Sequence, residues 1–187
     1  MLTAGATKFI LKYETSNPLL FARMKPGLTL QNRLKHLGWL REVGFKIGSG
    51  FIIGLPGQMI EDVARDVLLL RELTVDMASV SPFIPNDQSP LGSHMPGDLN
   101  LTLNAIAAMR IVAPGALIPT VSALQRLKPD GQELGFKAGA NVITINMTPP
   151  GYRDSYILYD SARKLVTWHS AMRAMERAGL QIADYRE

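Results

Sequence analysis

The residues best placed to do chemistry lie near the start of the chain, where a cation and a carboxylate are two positions apart. Lys12 and Glu14 end a short apolar segment that is typical of a β-strand. Because side chains alternate along a strand, both are expected on one face at the strand's end. Arg33 follows early in a predicted helix, where its guanidinium could bind a ligand carboxylate at two points. The same charges could instead form solvent-exposed ion pairs that bind nothing.

A glycine-rich stretch at residues 48–58, GSGFIIGLPGQ, is the second feature that could bind a ligand. It begins as a buried-strand pattern and passes through a glycine and proline turn into an amphipathic helix. Glycine has no Cβ, so the backbone can approach a ligand closely there, and parallel barrels bind ligands at the carboxyl ends of their strands. The spacing does not match a phosphate-binding loop. The same pattern also occurs in plain connections.

Other predicted strand ends carry short polar or apolar side chains. Pro82 and Ile84 lie where the third strand ends, in a segment that two prolines stiffen. The next two strands end in hydroxyl and amide groups around an apolar surface, as small-ligand sites do. The sequence contains no hydrolase nucleophile motif, no phosphate loop and no HExxH pair. Any chemistry is therefore expected to come largely from a bound cofactor.

Strands and helices alternate along the chain. Apolar periodicity predicts strands at 7–14, 46–55, 77–84, 117–121 and 141–146, with a short one at 180–184. It predicts helices at 29–43 behind a Thr29 cap, at 60–73, at 101–112 and at 161–178, and a helical stretch that ends near residue 139. The apolar stripes comprise Ile60, Val63, Ala64, Val67 and Leu68 in the second helix and Leu165, Trp168, Met172 and Met175 in the last.

This alternation predicts an α/β fold with a parallel sheet and right-handed crossovers. Either an open doubly wound sheet or an arc of a (βα) barrel fits the spacing. About five strands would make an incomplete barrel, since a closed one needs eight strands and about 250 residues. An arc would also leave an unpaired strand edge that calls for a partner or a further segment.

Composition excludes several classes of function. The chain has 187 residues, 47% of them apolar, and no cysteine, so it can supply neither a disulfide nor a thiolate ligand for a metal or an iron–sulfur cluster. Its three histidines show no metal-ligand spacing. The net charge of +4 is spread along the chain, which disfavours nucleic acid as a partner. With no apolar run of about 18 residues and no signal peptide pattern, we expect a cytoplasmic globular protein with no membrane contact.

Five segments together resemble a known family, and they occur in order over roughly residues 4–160. They read AGATKFILKYET, NPLLFARMKPG, VGFKIGSGFIIGLPGQ, DMASVSPFIPNDQSPL and GANVITINMTPPGYRDSYILY. The chain resembles the C-terminal half of the barrel of the radical S-adenosylmethionine (SAM) maturases of iron-only hydrogenase, the HydE type, which are relatives of biotin synthase. In that family a complete (βα)8 barrel carries a CxxxCxxC loop that holds a 4Fe-4S cluster. The cluster reduces SAM to methionine and a 5′-deoxyadenosyl radical.

The resemblance also implies roles for individual residues. Glu14 would contact the ribose of SAM and Arg33 would bind its methionine carboxylate. Lys12 stands where the family has an arginine, so it keeps the charge but loses the planar fork. The cofactor would be lined further by Gly50, Ile52, Gly54, Leu55 and Ile84, and the substrate by Pro82, Thr120, Val121, Ser122, Thr144, Tyr156 and Tyr159. Val121 replaces an expected threonine, Thr144 an expected methionine, and residues 160–164 an expected Tyr-Pro-Gly-Lys run.

The cluster-binding cysteines of the family are not in this sequence. We therefore expect a fragment, with a partial barrel at residues 1–160 and a C-terminal helical extension at 161–187, that makes no radical alone. Its expected partners are a small-molecule or organometallic substrate and either the missing N-terminal half-barrel or another hydrogenase maturase. The alternative is a natural cysteine-free binding or assembly module that dimerises through its open edge. A third hypothesis, a lyase with a Schiff base at Lys46 or Lys128, is disfavoured because neither lysine ends a predicted strand.

Overall fold

The computed structural model describes residues 1–149, 151–152 and 165–183. Their strands are β1 (Lys8–Ile10), β2 (Lys46–Ile53), β3 (Met77–Pro82), β4 (Pro119–Thr120) and β5 (Val142–Ile143). Their helices are α1 (Pro18–Met24), α2 (Leu30–Glu42), α3 (Ile60–Glu72), α4 (Leu99–Val112), α5 (Leu124–Leu127), α6 (Gly131–Lys137) and α7 (Trp168–Arg177), after a 3-10 turn at Leu2–Ala4.

All neighbouring strands run parallel, as the α/β prediction requires. One sheet has the order β1-β2-β3 and a second pairs β4 with β5. A parallel bridge between Met77 and Leu117 joins β3 to the chain just before β4. The strands therefore follow one another in chain order, although β4 and β5 have only two residues each and are shorter than predicted.

The two faces of the sheet differ in burial. Phe51, Ile53 and Val80 face the helices and are 0% exposed, under the layer formed by α2, α3 and α4. Burying each such side chain stabilises the fold by about 1.5–3 kcal/mol. Side chains alternate along a strand, so Ile10 and Ile52 point to the other face. That face is less covered, and Ile10 on the edge strand is 55% exposed.

The predicted first strand is interrupted after Ile10. The N–H of Leu11 donates to the carbonyl of Gly48 over 2.9 Å, and the next such bond joins the N–H of Glu14 to the carbonyl of Gly50 over 3.0 Å. Three steps along this segment thus oppose two steps along β2, which defines a β-bulge. The bulge shortens β1 relative to the prediction and moves Glu14 out of the regular alternation.

Capping explains where the first two helices begin. Helix α1 was not predicted; the side chain of Asn17 accepts hydrogen bonds from the N–H groups of Leu19 and Leu20 over 3.0 and 3.1 Å. Proline at its first position suits a helix start, because the proline ring presets the backbone angle. Helix α2 begins as predicted, and the hydroxyl of Thr29 accepts from the third helical N–H over 3.2 Å.

Helix α3 buries only part of the predicted apolar stripe, namely Val63 and Val67, which are 5% and 6% exposed. Ile60 and Leu68 are 57% and 42% exposed, and Ala64 is exposed as well. The buried face also includes the carboxylates of Asp62 and Asp66, which are 3% and 0% exposed. A periodicity of apolar residues cannot reveal this, because these carboxylates are buried together with hydrogen-bond donors from other segments.

The C-terminal region departs from the prediction at both ends. Helix α7 is described from Trp168, whose side chain is 62% exposed rather than buried in the predicted stripe, and residues 161–164 lie outside the described part. Residues 180–183 form no strand, so the predicted strand at 180–184 is wrong there. None of the described helices combines the length and hydrophobicity needed to cross a bilayer.

Candidate functional site

Glu14 holds a strained conformation at the carboxyl end of the first strand segment. Its φ is +67°, in the left-handed region that non-glycine residues rarely occupy. The conformation is fixed on both sides by β2, because the N–H of Glu14 donates to Gly50 and its carbonyl accepts from the N–H of Ile52 over 2.9 Å. Strain of this kind costs about 1–3 kcal/mol and clusters at functional sites.

The charged groups predicted around Glu14 do come together. Lys12 is partly buried, and burial lowers the pKa of its ammonium, while the nearby Glu14 carboxylate acts in the opposite direction. Lys25, which follows α1, approaches a Glu14 carboxylate oxygen at 3.9 Å and also lowers the pKa of Lys12. The Glu14 carboxylate thus lies near two lysine cations.

Arg33 reaches this group from α2. Its guanidinium donates a hydrogen bond to the backbone carbonyl of Lys12 over 3.1 Å. The guanidinium carbon also lies 5.7 Å from the ring centroid of the buried Phe21, which is a cation–π distance. The sequence placed Arg33 near this strand end, and the structure brings it there.

The turn after β2 is closed by a side chain that the sequence analysis did not select. The Oε1 atom of Gln58 accepts the N–H groups of Gly54 and Leu55 over 2.7 and 3.3 Å. Its Nε2 donates to the carbonyl of Ile52 over 2.8 Å and to Asp66 over 3.3 Å. Gln58 therefore sets the backbone direction of the turn predicted to line the cofactor.

Two of the glycines in the stretch are required by neighbouring backbone. A Cβ on Gly50 would collide with the carbonyl of Ser79 on β3, and Gly54 has a φ of +87°. A Cβ on Gly54 would also meet the backbone of Gly97. Close strand and loop packing thus accounts for these glycines without a ligand.

Behind the turn, Asp66 joins α3 to the segment that follows Glu14. The N–H of Ser16 donates to one carboxylate oxygen, and Gln58 donates to the other. Burial raises the pKa of Asp66 to about 7, hydrogen bonds from Ser16 act against it, and nearby Asp62 raises it further. The hydroxyl of Tyr13 donates to the backbone carbonyl of Asp66.

A second group of predicted residues lies at the carboxyl ends of β4 and β5. Ser122 and Thr144 line one cavity of about 230 Å3, together with Asn146. Thr120 is 1% exposed and its hydroxyl donates to the carbonyl of Gln132 on α6 over 2.9 Å. That hydroxyl therefore faces the helical layer.

The remaining predicted residues differ in how far they are buried. Pro82 is buried on the helical side in register with Ile53, while Ile84 and Val121 are half-buried. Tyr156 and Tyr159 lie outside the described residues.

Lys25, Gln58 and Asp66 are the site residues that sequence reasoning missed. Two signals were available: Gln58 directly follows the turn glycines, and Asp66 interrupts the apolar residues of α3. Lys25 had no such signal, because its approach depends on the unpredicted helix α1.

Comparison with known proteins identifies relatives over most of the chain. No family model matches. The chain is 42% identical over 156 residues to the [FeFe] hydrogenase maturase subunit HydE of Thermotoga maritima, covering 83% of this chain and 45% of that protein. It is 32% identical over 145 residues to a biotin synthase of Synechococcus sp., covering 76% and 46%.

Comparison with solved structures finds a similar fold. The crystal structure of methylornithine synthase (PylB) matches with a TM-score of 0.77 and 24% identity, over 97% of this chain and 54% of that one. The chain thus spans about half the length of the relatives it matches. It belongs to the radical SAM family that contains HydE and biotin synthase.

Proposed function

We propose that this chain forms part of the SAM pocket of a HydE-type radical SAM protein, and that the whole protein acts in hydrogenase maturation. The proposal rests on similarity to HydE over 83% of the chain and on the site around Glu14. Because the chain covers 45% of that relative, the activity of the whole protein is part of the proposal.

The strained conformation of Glu14 is the observation that carries the proposal. A φ of +67° at a carboxylate on the carboxyl edge of a parallel sheet is the kind of local strain that clusters at ligand-binding sites. The residues fit the cofactor: the Glu14 carboxylate can accept from ribose hydroxyls, and Arg33 can bind a carboxylate. Gly50, Ile52, Gly54, Leu55 and Ile84 offer backbone and apolar surface for adenine.

The residues do not fit the iron–sulfur cluster. The chain has no cysteine, and the described residues contain no group of three or more acidic or histidine side chains that could hold a metal. In this proposal the cluster ligands therefore come from outside these 187 residues, from the N-terminal half-barrel or another chain.

The finer architecture is also proposed. Strands β1 to β5 would be consecutive strands of a (βα) barrel, with residues 1–160 in the barrel and 161–187 as an extension. In support, the strands follow chain order. The described part of the extension contacts residues 1–160 in two places. Helix α7 packs against α6, and the N–H of Asn146 donates to the carbonyl of Val166 over 3.0 Å.

The proposed substrate side lies across the sheet edge from Glu14. The cavity with Ser122 and Thr144 would take a small-molecule or organometallic substrate, with Val121, Tyr156 and Tyr159 beside it. Pro82 and Thr120 would contribute through their strand positions, since the Thr120 hydroxyl is bonded to α6.

Calorimetric titration with SAM tests the proposal. Arg33→Ala should bind at least about tenfold more weakly than the wild type, because a charge-assisted hydrogen bond contributes about 1.5–3 kcal/mol. Arg71→Ala, an exposed arginine at the end of α3, is the matched control. Equal affinity of the two variants, or no binding by the wild type, would contradict the proposal.

A second candidate function is assembly through the open strand edge of the sheet, without catalysis. The observation that favours it is Ile10, an apolar residue on edge strand β1 that is 55% exposed. Light scattering separates the two candidates. A stable dimer that Ile10→Lys converts to a monomer supports assembly, whereas a wild-type monomer contradicts it.

A further inference from the structure

We propose that Gln58 and Asp66 are positioning residues that hold the Gly54–Leu55 turn at a fixed place relative to Glu14. The inference rests on the proposed function, because it assigns the turn to the adenine side of SAM and Glu14 to the ribose side.

The orientation of the Gln58 amide is determined by its surroundings. One end meets two N–H donors, those of Gly54 and Leu55, and the other meets two acceptors, the carbonyl of Ile52 and the carboxylate of Asp66. The reversed amide would place donors against donors and acceptors against acceptors. Only one orientation therefore satisfies all four groups.

Asp66 extends this contact to the other half of the proposed pocket. Its second carboxylate oxygen accepts the N–H of Ser16, two residues after Glu14. An unbroken chain of hydrogen bonds thus runs from the turn through Gln58 and Asp66 to the segment that carries Glu14. The turn N–H groups are used within the protein and are not left for a ligand.

The charge on Asp66 decides whether both links can exist together. A carboxylate accepts at both oxygens, whereas a protonated carboxyl turns one oxygen into a donor that faces either Ser16 or Gln58. The surrounding titratable groups are Asp62 and Arg65 on α3, which are paired at 3.3 Å, and Tyr13. The pKa of Asp66 is about 7 because of burial, so this exchange falls near neutral pH.

The amide signals of Gly54 and Leu55 test the inference in 15N-labelled chain without cofactor. In the wild type both signals should move as the pH passes through about 7. Asp66→Asn should abolish that movement, since asparagine accepts at only one atom and cannot titrate. Gln58→Met should shift both amide protons upfield and speed their exchange with solvent. Gln58→Glu, which keeps the acceptor but replaces the donor, should move the transition to higher pH.

Gln31→Met is the control, because Gln31 is exposed on α2. SAM affinity should fall about tenfold in Gln58→Met relative to Gln31→Met, the effect of losing about 1.4 kcal/mol. If the amide signals of Gly54 and Leu55 change neither with pH nor on the Asp66→Asn substitution, the inference is wrong. If those signals respond as expected but the wild type binds no SAM, the positioning contact stands and the proposed function fails.

Discussion

Gly97 lies so close to Gly54 that a Cβ on Gly54 would collide with the Cα of Gly97. Two backbone bonds fix this contact: the N–H of Phe83 donates to the carbonyl of Ile53 over 2.7 Å, and the N–H of Gly97 donates to the carbonyl of Phe83 over 2.8 Å. The loop after β3 is thereby attached to the end of β2, beside the turn that Gln58 closes.

This contact predicts a large cost for a single methyl group. Gly54→Ala should lower the free energy of unfolding by at least about 2 kcal/mol, because it combines a backbone collision with a left-handed φ. Urea denaturation measures the effect. Gly38→Ala is the control: nothing lies within 4 Å of a Cβ there, and alanine in a helix should stabilise by up to about 1 kcal/mol. If Gly54→Ala is no less stable than Gly38→Ala, the contact is refuted.

The strain at Glu14 predicts an unusual order of stability between two variants. Both Glu14→Ala and Glu14→Gly lose the side chain and its approach to Lys25. Only alanine keeps a Cβ in the left-handed region, so Glu14→Gly should be more stable than Glu14→Ala by about 1 kcal/mol. At the exposed helical residue Glu61 the order should be reversed, by about 1 kcal/mol. A Glu14→Ala variant that is as stable as Glu14→Gly, or more stable, would show that Glu14 is not strained.

Asp66 predicts a pH dependence of stability with a definite sign. Burial raises its pKa in the native state to about 7, against about 3.9 in the unfolded chain. Between these values the native state keeps a proton that the unfolded state has released, so the Asp66 contribution to the free energy of unfolding falls as the pH rises. Above about pH 7 the contribution of Asp66 to the free energy of unfolding no longer changes with pH.

Urea midpoints of wild type and Asp66→Asn, measured from about pH 5 to about pH 8, isolate this contribution. The wild type should lose stability relative to the variant across that range. Parallel curves for the two proteins would show that Asp66 does not titrate there.

The absence of cysteine predicts the outcome of reconstitution. Incubation of this chain with iron and sulfide should yield no bound 4Fe-4S cluster by visible absorption, since the thiolate ligands are missing. With dithionite and SAM, the chain alone should then release no 5′-deoxyadenosine. Detectable 5′-deoxyadenosine from the purified chain would disprove this.

Local sequence patterns predicted the parts of the fold that depend on local physics. The Thr29 cap, the start of α3 and the alternation of strands with helices follow from capping and periodicity. The bulge before Glu14 and the buried carboxylates of Asp62 and Asp66 depend on partners 36 to 50 residues away, which periodicity does not register. Helix α1 was missed although Asn17 and Pro18 are a start signal, because the helix has only seven residues.

Part of the candidate site was likewise predicted from the sequence, and part was not. The sequence placed Lys12 and Glu14 at the end of the first strand and Arg33 early in the next helix, and the structure brings the three close together. Gln58 and Asp66 connect the turn after β2 to the segment that carries Glu14 through hydrogen bonds. Their roles required knowledge of which atoms face the turn.

The most direct test of the account is to add SAM to the 15N-labelled chain and record which backbone amides shift. The account predicts saturable shifts centred on Glu14, Arg33 and residues 50–55, and their loss in Glu14→Gln but not in Glu61→Gln. Shifts confined to other parts of the chain, or none at saturating SAM, would contradict it.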